Sequence, residues 1–141
     1  MNVCFTVPGK PQGKARPRFT RSGHTYTPGS TAAYEERVKL AYRQAGGGKL
    51  NGFVSADILA VFTVPKSYTK AQKAAAFDMR YVPKKPDCDN IAKIILDALN
   101  GIAYDDDAQV VKLRVEKRYG ATERVLVVLE EDWNRRAGNW Q

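Results

Sequence analysis

Hydrophobic and polar positions alternate along three stretches of the chain and recur at helical spacing along two others. Val3, Phe5 and Val7 alternate with polar neighbours, predicting a short strand over Val3–Val7 that stops at Pro8-Gly9. After a polar loop, Tyr26-Thr27 predicts a second short strand. Tyr34, Val38, Ala41 and Tyr42 recur at helical spacing, so a helix is expected over Ala32–Ala45. Ser30 or Thr31 would cap it, and Gly46-Gly47-Gly48 would end it. Val54–Val64, rich in Val, Ile and Phe, reads as a central strand ending at Pro65, and Tyr68–Phe77 as a short helix. The clearest pattern is Ile91, Ile94, Ile95, Ala98 and Leu99, at i, i+3, i+4, i+7 and i+8. It predicts an amphipathic helix over Cys88–Asn100, with Gly101 where a left-handed C-terminal residue belongs. Val110–Arg118 and Glu123–Leu129 then alternate as two strands joined through Tyr119-Gly120-Ala121-Thr122.

These elements predict one α+β domain over residues 1–132, a mixed or antiparallel sheet with helices packed on one face. A polar tail, 133–141, follows, with Trp133 and Trp140 as its only large apolar residues. The chain has 141 residues, 43% of them hydrophobic. A chain of that size buries roughly 68–70% of its unfolded surface, enough for a core without metals or disulfides. No stretch approaches the ~18 apolar residues of a membrane-spanning helix. The first residues lack the charged region of a secretory signal, so a cytoplasmic location is expected. Cys4 and Cys88, far apart and without CxxC or His partners, read as reduced thiols.

Charge narrows the function. Lys plus Arg is 23 and Asp plus Glu is 15, so the net charge is 23 − 15 = +8. Such a surface suits a polyanion, nucleic acid most simply, although a solvated basic surface gives the same number. The loop from Lys10 to Arg21 holds Lys10, Lys14, Arg16, Arg18 and Arg21 and no acid; the first acid of the chain is Glu35. His24 is the only histidine. One histidine rules out three-histidine zinc centres and argues against a Ser-His-Asp triad, leaving carboxylates and lysines for most of any catalysis.

Against this background, 6 of the 15 acids fall within Asp87–Asp107: Asp87, Asp89, Asp97, Asp105, Asp106 and Asp107. The only cation in that window is Lys93. Two carboxylates about 5 Å apart repel by roughly 3 kcal/mol at an effective dielectric of 20, and a bound divalent cation reverses that sign. Carboxylate-only ligation favours Mg²⁺ or Mn²⁺. Asp106 or Asp107 meets Asp87 only if the return segment runs back alongside the intervening helix, whose ~11 residues span ~16 Å. Plainer readings stand beside this one. Asp87 or Asp89 serves as a helix N-cap, Asp105–Asp107 as a solvated turn, and Lys93 with Asp97 as a surface i,i+4 pair.

Three runs carry a resemblance: Lys85-Pro86-Asp87-Cys88-Asp89-Asn90-Ile91-Ala92-Lys93, Leu96-Asp97-Ala98-Leu99-Asn100-Gly101, and Asp106-Asp107-Ala108-Gln109-Val110. They closely resemble the signature of the RusA-type Holliday junction resolvases. The opening Pro8-Gly9-Lys10-Pro11, with Lys14-Ala15-Arg16-Pro17-Arg18 and Tyr26-Thr27-Pro28, is similar to that family's N-terminus, so the likeness runs from about residue 3 to 130. It implies a RusA-like fold and a homodimeric, Mg²⁺-dependent endonuclease, with Mn²⁺ able to substitute, that nicks opposed strands of a four-way DNA junction in recombination and repair. Asp87, Asp89 and Asp107 match the catalytic, metal-holding aspartates and Lys93 the essential lysine. Asp106 is a further metal-ligand candidate, and Asn90 and Asp97 are supporting positions. Members of the family are often prophage-borne. Lys10, Lys14, Arg16, Arg18, Arg21, Lys84 and Lys85 would bind phosphate, with Lys66, Lys70 and Lys73 beside them. The competing functions are a nuclease on flaps or forks, and a non-catalytic binder of branched DNA.

Overall fold

The computed structural model describes residues 1–15, 18–23, 25–26 and 29–131. Its elements in chain order are strands β1 (Asn2–Pro8), β2 (Arg18–Phe19) and β3 (Thr25–Tyr26), helix α1 (Gly29–Gln44) and strand β4 (Val54–Phe62). Helices α2 (Lys70–Phe77) and α3 (Cys88–Ala98) follow, then strands β5 (Val110–Tyr119) and β6 (Arg124–Glu131). The architecture is α+β: a four-stranded sheet in the order β1-β6-β4-β5, with β2 and β3 forming a separate two-stranded ribbon. The sheet is mixed, because β4 and β5 run parallel while β6 is antiparallel to both β1 and β4. A parallel pair needs a crossover, and here the crossover contains α2 and α3.

One face of the sheet is the core. Phe5, Val127, Ile58 and Val115 form a row across all four strands. The parallel row Val3, Leu129 and Ala56 is buried as well. Against this face pack Tyr34, Val38 and Tyr42 of α1 and Ile91, Ile94 and Ile95 of α3, all fully buried. Alternate residues of β1 (Cys4, Thr6) point the other way and are exposed, as the period of two requires.

Boundaries differ from the sequence expectations where capping chemistry decides them. Helix α1 begins at Gly29, so Thr31 sits inside its first turn, buried, and is not the cap. Helix α2 begins at Lys70 because Thr69 and Gln72 form a reciprocal capping box. Strand β4 stops at Phe62 and α3 at Ala98. The short strand expected at Tyr26-Thr27 is Thr25–Tyr26, paired with a two-residue β2 that hydrophobic alternation is too short to reveal. The tail 133–141 and Arg16 lie outside the described residues. Among those described, no helix is long and apolar enough to cross a membrane.

The chain leaves α3 through a turn that fixes everything after it. Gly101 adopts φ 76°, and its amide donates to Tyr104 O at 2.8 Å. Only glycine adopts that left-handed conformation without steric cost. Tyr104, fully buried, donates its hydroxyl to Leu96 O at 2.6 Å, satisfying one of the carbonyls orphaned at the helix end. Tyr104→Phe is therefore expected to destabilise the protein by about 1 kcal/mol, through an unpaired carbonyl and little lost packing. Urea unfolding should show a lower midpoint at unchanged slope. An unmoved midpoint would mean that the bond contributes nothing.

Candidate active site

Helix α3 buries Ile91, Ala92, Ile94, Ile95 and Ala98, which turns Asp89, Asn90 and Lys93 outward. Asp87 stands at the N-cap position with extended backbone (φ −71°, ψ 157°), yet its side chain makes no capping bond. The helix is held there by the backbone, with Ile91 N donating to Asp87 O at 3.1 Å. Among the described residues the Asp87 carboxylate has no hydrogen-bond or ion-pair partner, and it stands beside the positive end of the helix dipole, which favours an anion. Asp89 and Lys93, one turn apart, are both exposed, and among the described residues neither forms an ion pair. The Lys93–Asp97 surface pair does not form.

Asp97 is held by Lys14 instead. The Lys14 ammonium lies 3.1 Å from Glu35 Oε1 and 3.4 Å from Asp97 Oδ2, with all three side chains no more than 25% exposed. The Lys14 amide donates to Asn90 O at 3.1 Å. Next to it, a Cβ on Gly13 would meet Pro86 Cβ at 2.8 Å and Asn90 Cβ at 3.0 Å, so only glycine lets this loop lie on α3. Lys14 therefore joins the N-terminal loop to α1 and α3. Its charge is shared by two carboxylates, unlike that of the exposed Lys10 and Lys85. Lys10, Arg21, Lys84 and Lys85 remain exposed, and Arg18 opens β2. Lys10, Gly13, Lys14, Lys85, Pro86, Asp87 and Asn90 line a cleft of about 430 Å³. It places two exposed lysines beside the free carboxylate of Asp87.

The second acidic group sits at the other end of α3. The Asp107 amide donates to Asn100 Oδ1 at 2.8 Å. Burial raises the Asp107 carboxyl above its ordinary value; its hydrogen bond with Asp106 and the charges of Asp106 and Asp97 add to the rise. Asp106 goes the other way, lowered by the Ala108 amide and then by Asp107. Asp106 is the N-cap of a short 3-10 turn, Asp107–Gln109, closed by a capping box with Gln109. Asp105 is exposed and salt-bridged to Lys49 at 2.9 Å, the solvated-turn role. The structure thus brings Asp107 together with Asp106, Asp97 and Asn100, with the length of α3 between them and Asp87. Among the described residues, no three Asp, Glu, Cys or His side chains stand together as a ready metal cage. The donor chemistry nevertheless fits a hard divalent ion: an unbonded carboxylate at Asp87, an exposed one at Asp89 and a mutually repelling pair at Asp106–Asp107.

The sequence analysis assigned no role to two supporting residues, Gln109 of the third run and Lys117. Gln109 donates to Leu50 O and Gly52 O at 3.2 and 3.1 Å, and accepts from the Asp105 amide at 2.9 Å. It clamps the acidic turn to the β4 approach. Lys117 ends the otherwise apolar row Val7, Val125, Ala60. Its ammonium donates to Pro83 O at 2.7 Å and Pro86 O at 3.2 Å, holding the segment that leads into Asp87. The available signal was positional: in the alternation of β5, Lys117 shares the inward parity of Val115 and Tyr119.

Comparison with known proteins agrees with these features. The family described as Endodeoxyribonuclease RusA matches residues 8–130. An uncharacterized protein of Bacillus subtilis (strain 168), YqaN, is 36% identical over 136 residues, covering 92% of this chain and 96% of its own.

The raised carboxyl of Asp107 has a stability consequence. A carboxyl whose folded-state value lies above its unfolded value destabilises the fold once ionised, and that cost disappears as pH falls through the folded and then the unfolded value. Asp107→Asn is expected to raise the melting temperature at pH 7 in the presence of EDTA. The gain should shrink as the pH falls into the range where Asp107 protonates. A gain that does not depend on pH would place its origin outside this ionisation.

Proposed function

The chain belongs to the RusA endodeoxyribonuclease family, and we propose that it resolves four-way DNA junctions by Mg²⁺-dependent paired nicks, acting as a homodimer in recombination and repair. The observation that carries this reading is the free carboxylate of Asp87, which stands at a helix N-cap without capping and lines a cleft with Lys10 and Lys85. A protein that only bound DNA would gain nothing from an uncommitted anion facing phosphate. One chain offers one such acidic set, whereas a junction has two symmetry-related strands to cut, which a two-fold dimer matches.

Asp87 and Asp89 at the start of α3, and Asp107 with Asp106 adjoining at its far end, are the residues proposed to hold divalent ions. Asp106 has one oxygen already committed to the Ala108 amide at 3.0 Å. When bound, the ion supplies an activated water and neutralises charge on the phosphate and the leaving oxygen. Lys93, exposed one turn beyond Asp89 and without an ion pair among the described residues, offers its ammonium to the negative charge that develops on the phosphate. Lys10, Lys84 and Lys85 bind flanking phosphates, which gives register and affinity without reading sequence. Lys14 and Lys117 hold the loops that present them.

The direct test is cleavage of a synthetic four-way junction with and without Mg²⁺, beside flap, fork and duplex controls. Symmetric nicks confined to the junction are expected; equal cutting of flaps would shift the reading to a general branched-DNA nuclease. Asp87→Asn, Asp89→Asn and Asp107→Asn should each lower the cleavage rate by roughly three orders of magnitude, several kcal/mol of barrier, with junction binding kept or tightened. Near-normal cutting by any one of them removes that residue from the site.

The lysines divide in a second measurement. Lys10→Ala and Lys85→Ala should each flatten the log–log salt dependence of binding by about one unit. Lys14→Ala should instead leave that slope unchanged and lower thermal stability. A reduced slope for Lys14→Ala would return it to the phosphate contacts.

A further inference from the structure

Between β4 and α3 lies a surface that neither the carboxylates nor the phosphate contacts use. Phe77, Met79, Tyr81 and Val82 are 55%, 49%, 43% and 62% exposed, four large apolar side chains within six residues. Their surroundings are strongly basic. Residues 65–85 contain Lys66, Lys70, Lys73, Arg80, Lys84 and Lys85 against the single acid Asp78, a balance of 6 − 1 = +5.

The patch is built on a tied-down backbone. Helix α2 closes with the Asp78 amide on Ala74 O at 3.0 Å and the Arg80 amide on Ala75 O at 2.8 Å. Met79 is held at φ 65°, a conformation rare for a residue with a side chain. The Tyr81 ring rests against Tyr68 at 5.8 Å, and Tyr68 against Tyr119 of β5 at 6.4 Å. Lys117 then fixes Pro83 O. The chain therefore holds these rings outward from fixed points at both ends. Exposed apolar surface of this kind marks an interaction site. A positive field around aromatic faces selects a polyanion that itself carries π-faces, which describes nucleic-acid bases.

Resting on the reading that the chain cuts branched DNA, we propose that Phe77, Tyr81 and Val82 form a stacking platform for bases left unpaired or unstacked where the helices of a branch part. In a continuous duplex, neighbouring base pairs cover those faces, so the platform favours branched over linear DNA, a preference that phosphate contacts alone cannot express. Tyr81 lies six residues before Asp87, at most ~20 Å of chain, so a branch point held there stays near the acidic helix.

The test is binding in EDTA, where no cleavage occurs, to a single strand, a four-way junction and a linear duplex of equal length. Each carries 2-aminopurine, at the branch point in the junction. Wild-type protein should change the 2-aminopurine fluorescence of the single strand and the junction. Phe77→Ala should abolish that change and weaken binding to both by about tenfold, leaving duplex binding within about twofold, and Phe77→Trp should restore both. Val82→Ser provides a second truncation at a side chain that is 62% exposed. Equal losses on all three DNAs, or no loss on any, overturn the platform. So does a Phe77→Ala protein with normal DNA binding but an altered sedimentation coefficient, which would assign the patch to contact between copies of the chain. If wild-type protein shows the stacking signal and its loss in Phe77→Ala yet cuts no junction in Mg²⁺, the platform stands and the nuclease reading falls.

Discussion

The buried stripe of α3 is the constraint from which the site's geometry follows. Ile91, Ile94 and Ile95 are fully buried, at roughly 1.5–3 kcal/mol each. Together they exceed the roughly 3 kcal/mol by which two carboxylates 5 Å apart repel at a dielectric of 20. Apolar packing therefore sets the rotation of the helix, and the charges accept the positions left to them. Those positions are 89, 93 and 97, spaced by four along one outer face, with Asp87 before the first turn and Asp107 beyond the last. The acids form a line along the helix, because a helix sealed on one side has only a line to offer.

A protein with a net charge of +8 would seem to have cations to spare for DNA, yet two lysines are consumed in holding the fold's loops. Lys14 is neutralised between Glu35 and Asp97. Lys117 pairs with no carboxylate among the described residues and donates to two carbonyl oxygens. Both act at the entry to α3, one from the N-terminal loop and one from β5. Both keep an approach segment in a defined place relative to Asp87. Net charge is thus a poor guide to which cations face the ligand. Burial and partners decide, and the exposed Lys10 and Lys85 differ from Lys14 on both counts.

What could be read from the sequence was whatever depends on near neighbours. The α3 helix, its Gly101 stop and the strands β5 and β6 are period arguments, and the structure bears out their positions to within a few residues, although burial alternates along β6 and not along β5, where Val111 and Leu113 are exposed. The family resemblance, carried by the three runs between Lys85 and Val110 and by the opening from Pro8, also stands. What escaped depends on contacts between distant segments. Nothing near Lys14 in the chain announces Glu35 or Asp97, and the β2–β3 ribbon is too short to carry a period. Asp87 had two readings of equal local merit, cap or free ligand. The structure shows no capping bond from its side chain, which leaves the carboxylate open to the ligand role proposed for it.

Asp106 and Asp107 show how far two identical neighbours can be separated by backbone position alone. Asp106 has extended backbone at the start of a 3-10 turn, so its side chain meets the Ala108 amide and its charge is stabilised. One residue later the same group is partly buried against Asp106 and Asp97 and is driven towards protonation. Two titratable groups whose environments push them apart have divided their roles. In this turn the division is between a carboxylate whose charge the Ala108 amide stabilises and one whose charge burial disfavours. The capping box with Gln109, and the Asn100 side chain on the Asp107 amide, keep the two from exchanging places.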